Sequence, residues 1–145
     1  MAVIKFTSAD AMQTTVVQPG IYPCEISEME GPKASKSGGS NHYWTTFRVT
    51  DGKYKSKEIT VSFNTETRSP SLLGDMKFFP ISSLLEVDSA ISGRVITPED
   101  YQLDTDNLKG QALDVQWAVQ TVEGRLVNDI VAFYHKGYAA AAPAF

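Results

Sequence analysis

Alternation of apolar and polar residues with a period of two is the feature that most constrains this chain. It runs from Tyr43 to Thr50 and again from Ala112 to Val122, and the dipeptides Asp51-Gly52 and Glu123-Gly124 follow the two runs. A period of two is typical of a β-strand with one buried face, and Asp-Gly between such runs indicates a hairpin turn. The sequence therefore predicts two hairpins, whose return strands are Lys53 to Asn64 and Arg125 to Tyr134.

One more strand is predicted before the first hairpin. From Ile21 to Met29, apolar side chains such as Cys24 and Ile26 alternate with polar ones. Residues 30–42 are dominated by Gly, Pro and Ser, and we predict that they form a loop.

Between the two hairpins the spacing of apolar residues changes. Ser69-Pro70 has the composition of a helix start, and apolar residues continue at helical spacing until Pro80. A second short helix is predicted from Ser82 to Ala90. Residues 91–108 are interpreted as an irregular, acidic and exposed segment.

The predicted order is one strand, a hairpin, a helical insert and a second hairpin. A mostly β, five-stranded barrel of the OB-fold type, with a helical insert between strands 3 and 4, has this layout. An open five-stranded sheet with a helix on one face has the same order and remains the alternative. We predict an N-terminal arm at 1–18, the barrel domain at 19–136 and a flexible C-terminal tail at 137–145.

Charge is distributed unevenly along the chain. The 145 residues carry a net charge of -4, but the segment from Gly31 to Lys57 contains six basic residues and one acid, for a net charge of +5. A local positive field attracts an anionic ligand even to an acidic protein. The alternative is a solvated strand surface that protects a sheet edge. The six basic residues are Lys33, Lys36, Arg48, Lys53, Lys55 and Lys57.

The first strand of the first hairpin predicts an exposed aromatic residue. Its more apolar side, which we expect to face the core, holds Tyr43, Thr45, Phe47 and Val49. Trp44 and Arg48 then lie outward on one face, and an indole beside a guanidinium is a combination that stacks nucleobases. A Trp44 covered by the arm or by the helical insert is the alternative. A β-bulge near Trp44 would exchange the two faces.

The return strand alternates cations with an aromatic ring. Lys53, Tyr54, Lys55 and Lys57 offer ammonium groups for phosphates and a second stacking ring, as a groove for single-stranded nucleic acid requires. In an OB-fold, the loop between strands 1 and 2 and the face of strands 2 and 3 bind oligonucleotides, and all six basic residues map to these elements. Arg125, at the turn of the second hairpin, is a secondary candidate.

Catalysis and metal binding find little support in the sequence. No P-loop, Gly-x-Ser-x-Gly or His-Glu-x-x-His motif occurs, and two histidines with one cysteine offer no zinc-ligand spacing. We predict that the protein is not an enzyme and needs no metal or cofactor; a nuclease is the weakest hypothesis. No apolar run reaches the roughly 20 residues of a membrane span. The lone Cys24 favours a reducing compartment, so we expect a cytoplasmic protein.

Short motifs spread over residues 19–135 occur in an order that resembles a phage-encoded family of single-stranded-DNA-binding proteins. The motifs are Pro19-Gly20-Ile21-Tyr22, Lys36-Ser37-Gly38-Gly39, Val49-Thr50-Asp51-Gly52, Lys109-Gly110 and Asn128-Asp129-Ile130. The resemblance implies an OB-fold, sequence-independent binding of single-stranded DNA, and a role in phage replication or recombination in the host bacterial cytoplasm. Candidate partners are phage or host replication and recombination proteins, and a second copy of the chain. Residues 139–145 lack the acidic residues with which many single-strand binders recruit partners.

A protein–protein interaction module, for instance a virion or replisome accessory on a β-barrel that does not bind nucleic acid, is the alternative function.

Overall fold

Seven β-strands and one α-helix form the fold in the computed structural model, which describes residues 16–34, 41–74, 76–93 and 105–138. The strands and the helix, in chain order, are β1 (Gly20–Ala34), β2 (Asn41–Val49), β3 (Glu58–Asn64), β4 (Ser71–Leu73), β5 (Met76–Pro80), α1 (Ser83–Ser92), β6 (Ala112–Val122) and β7 (Arg125–Tyr134). A 3-10 turn at Thr105–Asn107 precedes β6.

The strands form a single sheet in the order β4-β5-β3-β2-β1-β6-β7. Neighbours are antiparallel except β3 and β5, which run parallel. The sheet curves into a nearly closed barrel, so the prediction of a mostly β barrel-like fold is confirmed. The predicted number of five strands is wrong, because the described residues contain seven.

The two additional strands lie where the sequence predicted a helix from Ser69 to Pro80. β4 and β5 form a tight hairpin at Gly74, whose φ of 65° is readily adopted by glycine. β5 pairs with β3 and brings Phe79 to within 5.3 Å of Phe63, measured between ring centroids. A hairpin of two such short strands imitates helical spacing, and pairing with β3 overrides the local preference.

The helix predicted from Ser82 to Ala90 is confirmed as α1. It ends at Gly93, whose left-handed conformation lets its N–H donate to the Ser89 carbonyl at 2.8 Å. Leu84 and Val87 point from α1 into the core. No helix within the described ranges is long and apolar enough to cross a membrane.

The loop predicted at residues 30–42 is shorter than expected at both ends. β1 continues to Ala34 and β2 begins at Asn41, while residues 35–40 lie outside the described part of the chain. β1 continues past Gly31 through a register irregularity between Glu30 and Lys33. A Cβ atom at Gly31 would lie 2.7 Å from the His42 carbonyl oxygen, so the close approach of the two strands requires glycine there.

The predicted return strand at 53–64 is correct only from Glu58 onward. Residues 50–57 form an extended turn instead, with Ser56 at a positive φ of 77°. Its backbone is tied to the barrel because the N–H of Ser56 donates to the Val49 carbonyl at 2.8 Å. By contrast, the second hairpin has the predicted boundaries, Ala112–Val122 and Arg125–Tyr134.

Phenylalanine side chains from four strands pack together in the barrel interior. Phe133 of β7 lies 5.4–6.1 Å, between ring centroids, from Phe47, Phe63 and Phe79. Trp117 of β6 is also buried, with 1% of its surface exposed. These contacts join strands that are remote in the sheet order, so the inner face of the sheet encloses one core.

A buried ion pair joins β5 and β7, two strands that lie near opposite ends of the sheet order. Lys77 Nζ of β5 lies 2.9 Å from Asp129 Oδ1 of β7, and the two side chains are only 11% and 8% exposed. Removing one member of such a pair leaves a buried charge without a partner, which strongly destabilises a protein. The pair therefore ties β7 to the other end of the sheet.

Two contacts extend the folded region beyond the predicted limits of 19–136. Val17 is buried, its N–H donates to Asn128 Oδ1 at 3.0 Å, and its carbonyl accepts from Asn128 Nδ2 at 2.7 Å. At the other end, the ring of Tyr138 stacks on Tyr134 with centroids 4.2 Å apart. Residues 1–15 of the predicted arm and 139–145 of the predicted tail lie outside the described residues.

Cys24 provides a test of the closed core. Only 1% of Cys24 is exposed, and desolvation raises the pKa of its thiol from 9.0 to about 12. Because the thiolate is the reactive form, we expect native protein at pH 8 to react slowly with Ellman's reagent, at a rate set by opening of the barrel. Protein unfolded in guanidinium should react at once. Rapid, complete reaction of the native protein would contradict the burial of Cys24.

The same shift has a consequence for stability. Because the pKa is higher in the folded state, folding favours the protonated thiol. The contribution of the protonated Cys24 thiol to the free energy of unfolding is fully present below pH 9, and it is lost as the pH rises toward about 12.

Candidate nucleic-acid interface

The outer face of β2 carries the residues that the sequence singled out. Thr45, Phe47 and Val49 are buried, whereas Trp44 is partly buried and Arg48 is exposed. β2 pairs with β3 in unbroken register from His42 to Arg48, and the register irregularities that involve β2 lie where it pairs with β1. The two faces of β2 are therefore not exchanged, and Trp44 lies outward as the alternation predicted.

Trp44 belongs to a group of three rings that we call the aromatic face: His42, Trp44 and Phe78. The imidazole of His42 stacks on the indole of Trp44, with centroids 5.5 Å apart and planes 11° from parallel. Trp44 and Phe78 are each in register with Ser62 of β3, on its two sides. Since neighbouring strands lie about 4.8 Å apart, the small Ser62 separates two aromatic positions by roughly 10 Å.

Polar contacts beneath the aromatic face hold it in place. Ser62 is fully buried and its hydroxyl lies 2.8 Å from His42 Nδ1, while Asn64 Nδ2 donates to the same hydroxyl at 3.2 Å. The imidazole orientation is therefore fixed by a hydrogen bond as well as by stacking. Such a network keeps the rings in one arrangement before any ligand arrives.

A cleft of about 420 Å³ opens next to the aromatic face, and His42 and Phe78 line it. Its far wall is the segment 65–71, which includes Arg68, Ser69 and Ser71. The buried Asn64 shapes this segment, because its Oδ1 accepts the backbone N–H of Glu66 at 3.0 Å and of Thr67 at 2.7 Å.

Sequence reasoning did not find three of these residues. His42 shares the parity of Trp44 on β2, and this was a usable signal. Phe78 was assigned to a predicted helix, so its position beside Ser62 could not be inferred. Arg68 lies in a polar connection without periodicity, and only the fold brings it near the rings.

Arg48 does not stand alone on the outer face. It forms an ion pair with Glu25 of β1, and the hydrogen bond and the charge of Glu25 raise the pKa of its guanidinium. Glu28 of β1 is paired in turn with Lys109, 3.3 Å away. The β1 side of this face is thus acidic with compensating cations, and Arg48 adds less positive field than the sequence suggested.

The basic patch predicted from the sequence is divided between two ends of β2. Lys33 of β1 is in register with His42 at one end of β2, which we call the cleft end because His42 lines the cleft. Lys53, Lys55 and Lys57 lie in the turn at 50–57 beyond the other end, which we call the turn end. Val49 is seven residues after His42 and five after Trp44, or about 24 Å and 17 Å along β2 at 3.4 Å per residue. Lys36 lies outside the described residues.

Tyr54 is not an exposed ring. It is 8% exposed, and its ring meets Tyr22 edge to face with centroids 5.6 Å apart. Lys53 Nζ lies 5.4 Å from the centroid of the Tyr54 ring. Tyr54 therefore anchors the turn to the barrel, and we do not include it among the stacking residues.

Arg125 is exposed at the start of β7 and lies toward the turn end. Cys24 of β1 is in register with Val49 of β2 on one side and with Leu113 of β6 on the other. From Leu113, β6 runs antiparallel to β1, passes Gly20 at the start of β1, and ends at the Glu123-Gly124 turn. Arg125 follows that turn directly, so along the sheet it lies on the turn-end side of Trp44 and away from the cleft end.

Among the described residues, no group of three or more His, Cys, Asp or Glu side chains could hold a metal ion. Compared with models of known protein families and with curated protein sequences, the chain gives no significant match.

The different exposures of the two tryptophans provide a test of the aromatic face. Trp44 is partly open to solvent whereas Trp117 is buried in the core. We expect Trp117→Phe, which keeps Trp44, to show strong quenching of its fluorescence by acrylamide. Trp44→Phe, which keeps Trp117, should be quenched several-fold less. Equal quenching of the two variants would contradict the outward position of Trp44.

Proposed function

We propose that this protein binds single-stranded DNA without sequence preference, through the outer face of β2, β3 and β5. The observation that carries this proposal is Trp44: its partly exposed indole lies outward on β2, stacked on His42 and beside a cleft that contains an arginine. Every nucleobase has a flat face that can stack on such rings, so stacking is tolerant of sequence.

We also propose that the barrel is of the OB-fold type. β1 pairs with β2 on one edge and with β6 on the other, and α1 lies between the β1–β2–β3 meander and the β6–β7 hairpin. These five strands correspond to the five predicted from the sequence. The β4–β5 hairpin is then an addition in the connection from the third strand to the helix.

The resemblance of the sequence motifs supports a role in phage DNA replication or recombination in the host bacterial cytoplasm, with replication and recombination proteins as partners. The fold adds one point of agreement. The Val49-Thr50-Asp51-Gly52 motif ends β2 and opens the turn at 50–57, a position where it sets the path of the predicted lysines.

A protein–protein module remains a second candidate because of one specific observation. Leu126 and Val131, both on the terminal strand β7, are 60% and 49% exposed. Exposed apolar side chains on a terminal strand favour contact with another chain. Leu126 and Val131 lie on a different strand from the aromatic face, so substitutions at these two residues can separate the candidate functions.

Oligo-dT binding tests the proposal directly. We expect binding that weakens steeply as salt rises, since neutralised phosphates release counterions, and much weaker binding of a duplex of equal length. Trp44→Ala should lower the affinity for oligo-dT by about 1–3 kcal/mol, the usual worth of one base–aromatic stack. Fluorescence anisotropy of labelled oligonucleotides at two salt concentrations measures both effects. No binding, or equal binding of duplex, would refute the proposal and favour the protein–protein module.

Phe47→Ala is the matched control on the same strand. Its side chain is fully buried, so its loss should destabilise the fold by roughly 3–5 kcal/mol. Trp44→Ala should cost less stability than Phe47→Ala, because Trp44 is only partly buried and its loss removes mainly the stacking contact with His42. Thermal melts thus separate loss of stacking from loss of folding.

The lysines of the turn end should matter only for longer strands. Because the turn that holds them follows Val49, five residues or about 17 Å along β2 from Trp44, replacing Lys53, Lys55 and Lys57 with Ala should weaken binding of a long oligo-dT but have little effect on one too short to reach the turn. Each lost phosphate contact should flatten the salt slope by about 0.7. If long and short oligonucleotides respond equally, these lysines act on the field of the whole protein and not through contacts.

A further inference from the structure

We infer that the cleft beside the aromatic face is a subsite for one whole nucleotide, which takes a base against His42 and Phe78 and its phosphate at Arg68. This inference rests on the proposed single-stranded-DNA binding and specifies where the strand goes after it leaves Trp44. It assigns to the β3–β4 connection a role that neither the sequence motifs nor the predicted patch contained.

The size and lining of the cleft fit such a ligand. Its volume of about 420 Å³ lies within the roughly 300–1,000 Å³ of small-molecule sites, which combine apolar walls with a few polar groups. One wall offers the rings of His42 and Phe78, and the other offers hydroxyl groups of Ser69 and Ser71. A flat, polar-edged base needs both kinds of wall.

The positive charge in the lining of the cleft belongs to Arg68. Arg68 is exposed, and within residues 16–34, 41–74, 76–93 and 105–138 it forms no ion pair. This differs from Arg48, which is paired with Glu25. Glu66 also lines the cleft, and its carboxylate disfavours a phosphate on its own side. The guanidinium of Arg68 is therefore the phosphate contact that this cleft offers, with bidentate geometry suited to an anion.

The cleft wall is held by the fold rather than assembled by the ligand. Asn64 is 1% exposed, and its side-chain oxygen accepts hydrogen bonds from two backbone N–H groups of the segment that leads to Arg68. Its side-chain nitrogen donates to Ser62, which also contacts His42. One buried side chain thus links both walls, and a site organised in advance loses less entropy on binding.

The cleft is also continuous with the aromatic face. His42 lines the cleft and stacks on Trp44, and the two ring centroids are 5.5 Å apart. Consecutive nucleotides can therefore occupy the indole and the cleft. The strand then crosses from β2 toward β4, away from the glutamates of β1.

Replacing Arg68 with Ala, with Arg125→Ala as the control, tests the phosphate contact in the full chain. Both arginines are exposed, but Arg125 lies at the turn end. With a short oligo-dT, Arg68→Ala should lower the affinity at least five-fold and flatten the salt slope by about 0.7, whereas Arg125→Ala should change the affinity less than two-fold. Equal effects of the two substitutions would overturn the inference.

Filling the cleft without changing charge tests the base. Ser69→Leu places an aliphatic side chain at the wall of the cleft and should also weaken short oligo-dT at least five-fold, but with an unchanged salt slope. Thermal melts verify that each variant is folded. If Ser69→Leu binds like the wild type, the cleft is not occupied and the inference fails.

The outcomes separate this inference from the proposed function. Wild-type binding that depends on Trp44 but not on Arg68 or Ser69 refutes the nucleotide subsite and leaves single-strand binding intact. Absence of oligo-dT binding by the wild type refutes both. Binding lost in Arg68→Ala and Ser69→Leu, with the two different salt slopes, supports the subsite.

Discussion

The pairing of β1 along both of its edges is the constraint on which the rest of the structure depends. Over Cys24 and Glu25, the same residues are in register with β2 on one side and with β6 on the other. A shift of one residue along either edge would move every side chain of the neighbouring strand to the opposite face. The two hairpins are therefore oriented through this one strand, and so are the inward phenylalanines and the outward Trp44.

β1 also takes part in two of the register shifts of the sheet, and a third lies between β6 and β7 at Gln116 and Trp117. The pairing of β1 with β2 shifts register between Ile26 and Glu28 and again between Glu30 and Lys33, and such bulges bend a strand and increase its twist. β2 and β3 keep an unbroken register. The rigid pair carries the aromatic face, and the bent strand beside it allows the sheet to curve.

Local periodicity was sufficient to predict strand boundaries and side-chain orientation where a strand pairs antiparallel with its neighbour in sequence. It predicted the β6–β7 hairpin with its boundaries and the inward parity of Phe47, because alternation and turn residues act over a few positions. It failed at Leu72 to Pro80, where the parallel pairing of β5 with β3 decides the conformation. It also failed at Tyr54, since burial of that ring depends on Tyr22, a residue of another strand.

The candidate site divides in the same way. Trp44 could be identified from its own strand, because its orientation follows from parity alone. Arg68 and Phe78 could not, since they reach the cleft through β3, β4 and β5, whose arrangement is set by distant contacts. Arg48 was identified, but its pairing with Glu25 was hidden, because register between β1 and β2 depends on two bulges.

Under the proposed function, a protein with a net charge of -4 binds an anionic ligand, so the positions of its rings and cations matter. Here the lysines of the turn end and the rings of the aromatic face are separated along β2, and Glu25 and Glu28 of β1 are paired with Arg48 and Lys109. Under the proposed function, affinity for a short strand then comes from stacking, which is short-ranged and little affected by salt, and from the phosphate contact of Arg68. The lysines act at longer range and draw the phosphate backbone along the barrel. The separation of the two groups would thus make affinity grow with strand length, which suits a protein that has to cover single strands and not single sites.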